Sequence, residues 1–328
     1  MRSNGKRLLP AVVLLIAMSV TAAAVLSGCG TSTSKNGKQF RITLLTGDNH
    51  DPFFMTMIAG AKMEAKKLGV SFTWQGPVNY NPQEQIPVLD AVVATKPDFL
   101  IAVPTDVNAL VAPLRAVKKS GIPILFIDET VRDKSIPLGL LASNNYLGGQ
   151  IAARQLAKML PAGSKVAYVG EQRGVYSTDQ RELGFAAELK KTKLVFVGAQ
   201  YGADDPNTAA TLTSALLTRY PDLKGVFGSD TAYGQGAATA IQNAHMTGKV
   251  KVIAFDGEPA EVQGLRRGLI SMLIVQKCYD EGVKGIQDAV AYLKNGTKPP
   301  ALWTPTYVLA TKANVNSPNV VKYLYRTS

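Results

Sequence analysis

Apolar runs in this chain repeatedly end on a carboxylate or an amide. Asp48 and Asp51 follow Phe40–Leu45, Asp106 follows Phe99–Val103, and Asp128 and Glu129 end Ile124–Ile127. Asp230 follows Gly225–Phe227, Asp256 ends Val250–Phe255, and Gln276 ends the run at 270–275. A wall of carboxylates and amides suits a neutral, polyhydroxylated ligand, because one carboxylate accepts from two neighbouring hydroxyls. Each such charge-assisted bond contributes roughly 1.5–3 kcal/mol. Sugars also carry apolar C–H faces that need aromatic platforms. Phe53-Phe54 supply such a surface, with one of the two expected to pack into the core. A single strand-end acid is explained by capping of the next helix, and Asp106 needs no more than that. Capping does not account for the whole set, because it does not favour carboxylates plus a terminal glutamine in both halves.

No enzyme is visible. His50 and His245 are far apart, and no spacing of His, Cys and acid suggests a metal site. No serine lies in a nucleophile elbow. Gly234-Gln235-Gly236 is too short for a dinucleotide fingerprint, and no phosphate loop is present. Neither a cofactor nor a metal is expected. No Arg/Lys cluster interleaved with aromatics points to nucleic acid.

The elements that must position these residues alternate. Strands are expected at Phe40–Leu45, Val70–Trp74, Phe99–Val103 and Ile124–Ile127, with helices at 52–68, 82–95 and 108–119 between them. Pro52 takes the favoured first helical position and Gly69 the stop. The rhythm resumes after Asn144. Helices are expected at 146–160, 179–191, 207–219, 234–246, 259–267 and 279–294, and strands at Lys165–Val169, Leu194–Val197, Gly225–Phe227, Val250–Phe255 and 270–275. The tail holds Tyr307-Val308-Leu309 as strand material. Such alternation implies α/β architecture with parallel sheets and helices on both faces. Right-handed crossovers put the strand C-terminal ends on one edge, where ligands bind. At roughly 290 residues the globular part exceeds what one core organises, so two domains are expected.

Ahead of the globular part, a basic tip (Arg2, Lys6, Arg7) and an apolar run from Leu8 precede Leu26-Ser27-Gly28-Cys29. That pattern resembles a bacterial lipobox, which implies cleavage before Cys29 and a diacylglycerol on its sulfur. The competing reading is an uncleaved anchor, against which Pro10 and Thr21-Ala22-Ala23-Ala24 argue. Either way the rest of the chain lies outside the cytoplasmic membrane. Gly30–Lys38 is small and polar and reads as a tether. With Cys29 lipidated, Cys278 has no partner for an intramolecular disulfide and is expected to be a small buried apolar residue. Net charge is +12, and removing the three basic residues of the signal leaves +9. The lysines are scattered over helix faces, as at Lys62, Lys66, Lys67, Lys118, Lys119, Lys190 and Lys191, which reads as solvated surface.

Taken jointly, several motifs resemble the sugar-binding type I periplasmic binding proteins of ABC transporters, the ribose/galactose-binding group. They are Asp51-Pro52-Phe53-Phe54, Pro104-Thr105-Asp106, Gly121-Ile122-Pro123 leading to Asp128, Ala142-Ser143-Asn144-Asn145 with Gly148-Gly149, Arg181-Glu182-Leu183-Gly184-Phe185 and Ala254-Phe255-Asp256-Gly257. The resemblance covers residues 40–310. It implies two doubly wound parallel-sheet (Rossmann-like) domains joined by a multi-strand hinge, with the ligand cleft between them. The expected divisions are a signal peptide over 1–28, a tether over 29–39, one α/β domain over 40–143 plus 277–306, and a second over 144–276 plus 307–328. Carried over by position, the family's contacts fall on Asp51, Phe53, Phe54, Asp128, Asp179, Asp230, Asp256 and Gln276. Two positions depart from the ribose-type pattern. Asp128-Glu129 stands where that pattern has Asp-Arg, and Asp179 stands where it has an arginine. The site exchanges two cations for two acids, with Arg181 and Lys277 left to offset part of the charge. Asp179-Gln180 is similar to the Asp-Gln pair of autoinducer-2 receptors in the same superfamily, as is Trp74-Gln75-Gly76-Pro77. The fold is shared with the lactose-repressor family, but an export signal stands where a helix-turn-helix would be.

The expectation is therefore a monomeric, lipid-anchored solute receptor that binds a neutral sugar or polyol and delivers it to an ABC permease. The alternative is a sensory receptor presenting a small signal molecule such as autoinducer-2 to a membrane sensor.

Overall fold

The computed structural model describes residues 39–326, so the signal peptide, Cys29 and nearly all of the tether lie outside the described residues. The first sheet begins with β1 (Arg41–Leu45), and α1 (Pro52–Leu68) follows. Asp51 caps α1 by accepting from Phe53 N at 2.7 Å, Pro52 opens it, and Gly69 ends it with a left-handed φ of 70°. Next come β2 (Ser71–Gln75), α2 (Pro82–Ala94), β3 (Phe99–Ala102), α3 (Val111–Lys119), β4 (Ile124–Ile127) and β5 (Leu140–Leu141). β3 and β4 are buried along their whole length, as strands covered on both faces must be.

The chain then leaves this sheet and builds a second one. Its elements are α4 (Asn145–Met159), β6 (Lys165–Glu171), α5 (Tyr176–Leu189), β7 (Val195–Gly202), α6 (Pro206–Arg219), β8 (Leu223–Gly228), α7 (Thr231–Asn243), β9 (Lys251–Phe255), α8 (Pro259–Arg267) and β10 (Met272–Val275). It returns through α9 (Cys278–Asn295), which packs on α1 and on β3, β4 and β5, and through β11 (Leu302–Trp303). It crosses again to β12 (Val308–Ala310) and the short α10 (Pro318–Val321).

The sheet orders are β11-β5-β4-β3-β1-β2 and β12-β10-β9-β8-β6-β7. Each order doubles back beside its first strand, and every pairing is parallel except β10 with β12. That antiparallel edge strand departs from the all-parallel sheets expected. Three chain crossings join the lobes: 142–144, 276–277 and 304–307. Cys278, at the end of the second crossing, is a free thiol buried at 1 % exposure. Among the described residues no helix is long and apolar enough to cross a membrane.

Candidate functional site

Each lobe brings one aspartate to its cleft edge by the same device. Asp128 follows β4 and Asp256 follows β9, both with left-handed backbones, at φ 63° and 84°. Asp128 N donates to Leu141 O at 2.6 Å and Asp256 N to Ile274 O at 2.9 Å, extending the parallel ladders one residue past the strands. The unusual φ then turns both side chains out of the sheet direction. Holding a non-glycine residue in this region costs on the order of 1–3 kcal/mol, which the surrounding structure must offset.

The first lobe adds aromatic surface. Phe54 and Tyr80 stack with ring centroids 6.3 Å apart and planes within 6°. Phe53 meets Phe54 edge-on at 5.2 Å. Gly47 makes room for the stack, since a Cβ there would collide with the Tyr80 ring.

The second lobe adds donors. Arg181 on α5 is buried, donates from Nε to Asn145 Oδ1 at 3.0 Å and from Nη1 to Ser229 O at 2.7 Å, and lies 3.8 Å above the Phe255 ring centroid. α4 and α5 approach closely enough to hold it there because Gly149 faces the Arg181 carbonyl, where any side chain would clash.

These groups line one cavity together with Glu129, Glu171, Val175, Ser177, Thr178, Asp204, Asp230, Thr231 and Gln276. The lobes meet across it. The Glu129 carboxylate accepts from Ser177 N at 3.2 Å, Val107 N donates to Gly174 O at 3.1 Å, and Lys134 Nζ sits 5.2 Å above the Tyr176 ring. The first of these contacts sets a carboxylate against the N-terminal turn of α5, where the helix dipole favours negative charge.

The lining holds seven carboxylates and one guanidinium. Burial raises Asp128 to about 7, with Arg181 pulling it down and Asp256 pushing it up. Burial and then the Asp128 charge raise Glu129 to about 8. Asp204 reaches about 8 through burial and then Asp230. Burial also pushes up Asp51, Glu171 and Asp230. Several of these groups therefore hold a proton at neutral pH and donate as well as accept, so the wall reads a hydroxyl in either sense.

Asp51, Phe53, Phe54, Asp128, Glu129, Arg181, Asp230, Asp256 and Gln276 all line the cavity. Asp51 and Asp230 cap helices as well, so capping and lining coexist in one side chain. Asp106 is outside this cavity and accepts from Asn108 N and Ala109 N at 2.7 Å in a turn ahead of α3, which starts at Val111 rather than at the expected 108 and has Leu110 at its cap position. Asp179 and Gln180 are not in the lining. α5 starts at Tyr176, three residues ahead of the expected start, which rotates Asp179 outward to Gly174 N and Arg173 and leaves Ser177 and Thr178 at the cavity. The similarity to the autoinducer-2 pair thus has no counterpart in the lining. Lys277 does not offset the acids either, because its Nζ bonds Thr306 Oγ1 at 2.9 Å outside the cavity. Glu171, Asp204 and Tyr80 were not anticipated. Both acids lie at or just beyond the ends of strands that run longer than the sequence suggested.

Residues 42–298 match the family described as periplasmic binding protein domain. Among curated proteins, the ribose import binding protein RbsB of Escherichia coli is 28 % identical over 253 residues, 77 % of this chain and 84 % of that one. An ABC transporter solute-binding protein of Agrobacterium vitis, solved with α-D-tagatopyranose, is 37 % identical with a TM-score of 0.85, covering 88 % of this chain and 100 % of that one. A carbohydrate transporter solute-binding protein of Agrobacterium radiobacter, solved with D-arabinose, is 30 % identical with a TM-score of 0.82, covering 88 % and 99 %.

Proposed function

The chain belongs to the periplasmic binding protein family, and from that premise we propose that it is the sugar-binding component of an ABC importer. Its ligand is a neutral sugar or polyol held between the lobes and delivered to a membrane permease. The observation that carries this reading is the cavity wall itself. Stacked aromatics on one wall, carboxyl groups on both, and an amide and hydroxyls on the other make an arrangement that matches the C–H faces and hydroxyls of a sugar. The likeness to a tagatose-bound and an arabinose-bound protein supports the same class. A sugar acid or sugar phosphate is disfavoured, because its anion would enter a wall of seven carboxyl groups, crowded enough that several already keep their protons, with one arginine to answer it.

The deciding experiment is mass spectrometry of what co-purifies with the protein, followed by calorimetry on matched neutral, amino and carboxylated sugars. A neutral member should bind in the micromolar range or tighter, about −8 kcal/mol. An anionic member binding better than its neutral partner would sink this account.

The lipobox at Leu26–Cys29 supports tethering of this receptor to the outer face of the membrane. A diacylated cysteine carries two chains, enough for stable anchoring. Wild-type protein should fractionate with membranes and a Cys29→Ser variant should not be lipidated. Mature wild type in the soluble fraction with an unmodified N-terminus would end that part of the reading.

A further inference from the structure

The last described residues reach into the site from behind. After α10 the chain packs Val320 and Tyr325 into the core shared with Phe53 and Val275. Tyr325 is buried, its amide donates to Gly257 O at 2.9 Å, and its hydroxyl donates to Asp256 Oδ1 at 2.6 Å. Both bonds fasten it to the second lobe. Its ring lies edge-on to Phe53 at 5.7 Å, and the next amide, Arg326 N, donates to Thr56 Oγ1 at 3.0 Å. Those contacts fasten it to α1 of the first lobe.

Asp256 Oδ1 also accepts from Gln276 Nε2 at 2.7 Å. Two donors therefore converge on one oxygen, while Oδ2 has no hydrogen bond among the described residues. Burial and the adjacent Asp256 charge raise the Tyr325 hydroxyl above its ordinary range, so it stays a donor. A merely space-filling tail needs no hydroxyl here, since phenylalanine packs the same ring.

We propose that Leu324–Arg326 is a strap and that Tyr325 is a positioning residue of the cleft. Its hydroxyl, with Gln276, fixes Asp256 by one oxygen so that the other is presented to the ligand. Its ring and the Arg326 amide tie that carboxylate to the first turns of α1. Separating the lobes must give up either the contacts to Phe53 and Thr56 or those to Asp256 and Gly257. The strap therefore resists opening as well as orienting the acid.

Amide hydrogen exchange on the full ligand-free chain tests the strap without assuming any ligand. Tyr325→Phe should speed exchange of the Tyr325 and Arg326 amides and of the first turn of α1 about tenfold, as loss of one charge-assisted bond implies. The same substitution in an Asp256→Ala background should add nothing. Unchanged exchange, or equal acceleration in both backgrounds, overturns the proposal. Thr56→Val is the second variant, exposed to less risk of misfolding; it should speed the Arg326 amide, and an unaffected amide counts against the strap.

An affinity arm rests on the sugar-binding reading and uses D-tagatose and D-arabinose as probes. Tyr325→Phe should weaken binding about tenfold in the wild-type chain and not in the Asp256→Ala background. Equal weakening in both reduces Tyr325 to packing and overturns its positioning role. If neither sugar binds the wild-type chain, it is the choice of ligand that fails, and the exchange arm still decides the strap.

Discussion

The two walls of the cleft share a backbone device and differ in chemistry. Asp128 and Asp256 occupy matching strand ends with matching left-handed φ. Around Asp128 the first lobe places aromatics and acids: Phe53, Phe54, Tyr80, Asp51 and Glu129. Around Asp256 the second lobe places further acids, Glu171, Asp204 and Asp230, with the sole arginine of the lining, an amide, and the hydroxyls of Ser177, Thr178 and Thr231. Both walls carry acids, but only the first has the aromatic platform and only the second the arginine, the amide and the hydroxyls. Neither lobe alone carries the whole lining, so on the proposed function recognition is assembled when the lobes meet, as in hinge closure around a ligand.

The largest expected effect is of pH, because carboxyls on both walls shift in one direction. Asp128, Glu129 and Asp204 keep their protons to about 7, 8 and 8 in the folded chain. In the unfolded chain they release them near pH 4. The folded form thus binds more protons between about pH 4 and 8, and unfolding free energy falls as pH rises through that window. Urea titrations of ligand-free protein should show stability declining from pH 5 to 8. Glu129→Gln and Asp204→Asn should each flatten part of the slope, one from each wall. A slope that only one of them flattens would place the strain in a single lobe.

Arg181→Met comes next. It removes bonds to Asn145 and Ser229 and the one cation among the lining acids, a loss of roughly 3–5 kcal/mol in stability. A loss under 1 kcal/mol would mean that the acids neutralise themselves with protons and need no arginine.

Asp256→Ala and Gln276→Ala should each cost about 1.5–3 kcal/mol of binding without unfolding the chain. Calorimetry on both, beside Asp128→Ala, shows whether the second wall carries more of the hydrogen bonding than the first. Unchanged affinity in all three would place the ligand elsewhere.

The smallest effect is Phe54→Leu, which breaks the stack on Tyr80 and should weaken sugar binding by about 0.5–1.5 kcal/mol. Unchanged affinity beside a loss of thermal stability would show that Phe54 acts through packing alone.

The alternation of strands and helices was legible because long periodic segments carry a strong signal. The helix 52–68 matches α1 residue for residue. β5 and β11 have two residues each, too few to show any period, and stayed invisible. The rule that acids gather at strand ends was sound, yet Glu171 and Asp204 escaped it. β6 runs through Gly170 to Glu171, and β7 through Gly198 to Gly202, so glycines and polar residues concealed where those strands stop. Tyr80 sits in a non-periodic loop and reaches the site only because Gly47 leaves space for its ring. Asp179 shows the opposite failure. A position carried over from the family motif lies outside the cavity lining, with its side chain turned to Gly174 N and Arg173. Tyr325 had no sequence signal at all, since its role depends on contacts with residues from both ends of the chain.

The left-handed backbone at Asp128 and Asp256 has a consequence for how this protein changes over generations. Glycine adopts that conformation without the steric penalty an aspartate bears. At Asp128 folding alone would therefore favour glycine, and a selection for heat resistance applied without ligand should recover it there. At Asp256 it would not, because glycine would leave the buried Tyr325 hydroxyl and Gln276 amide without their acceptor. Of the two residues only Asp128 would act as a record of use, and a descendant that abandoned its ligand would be expected to lose it first.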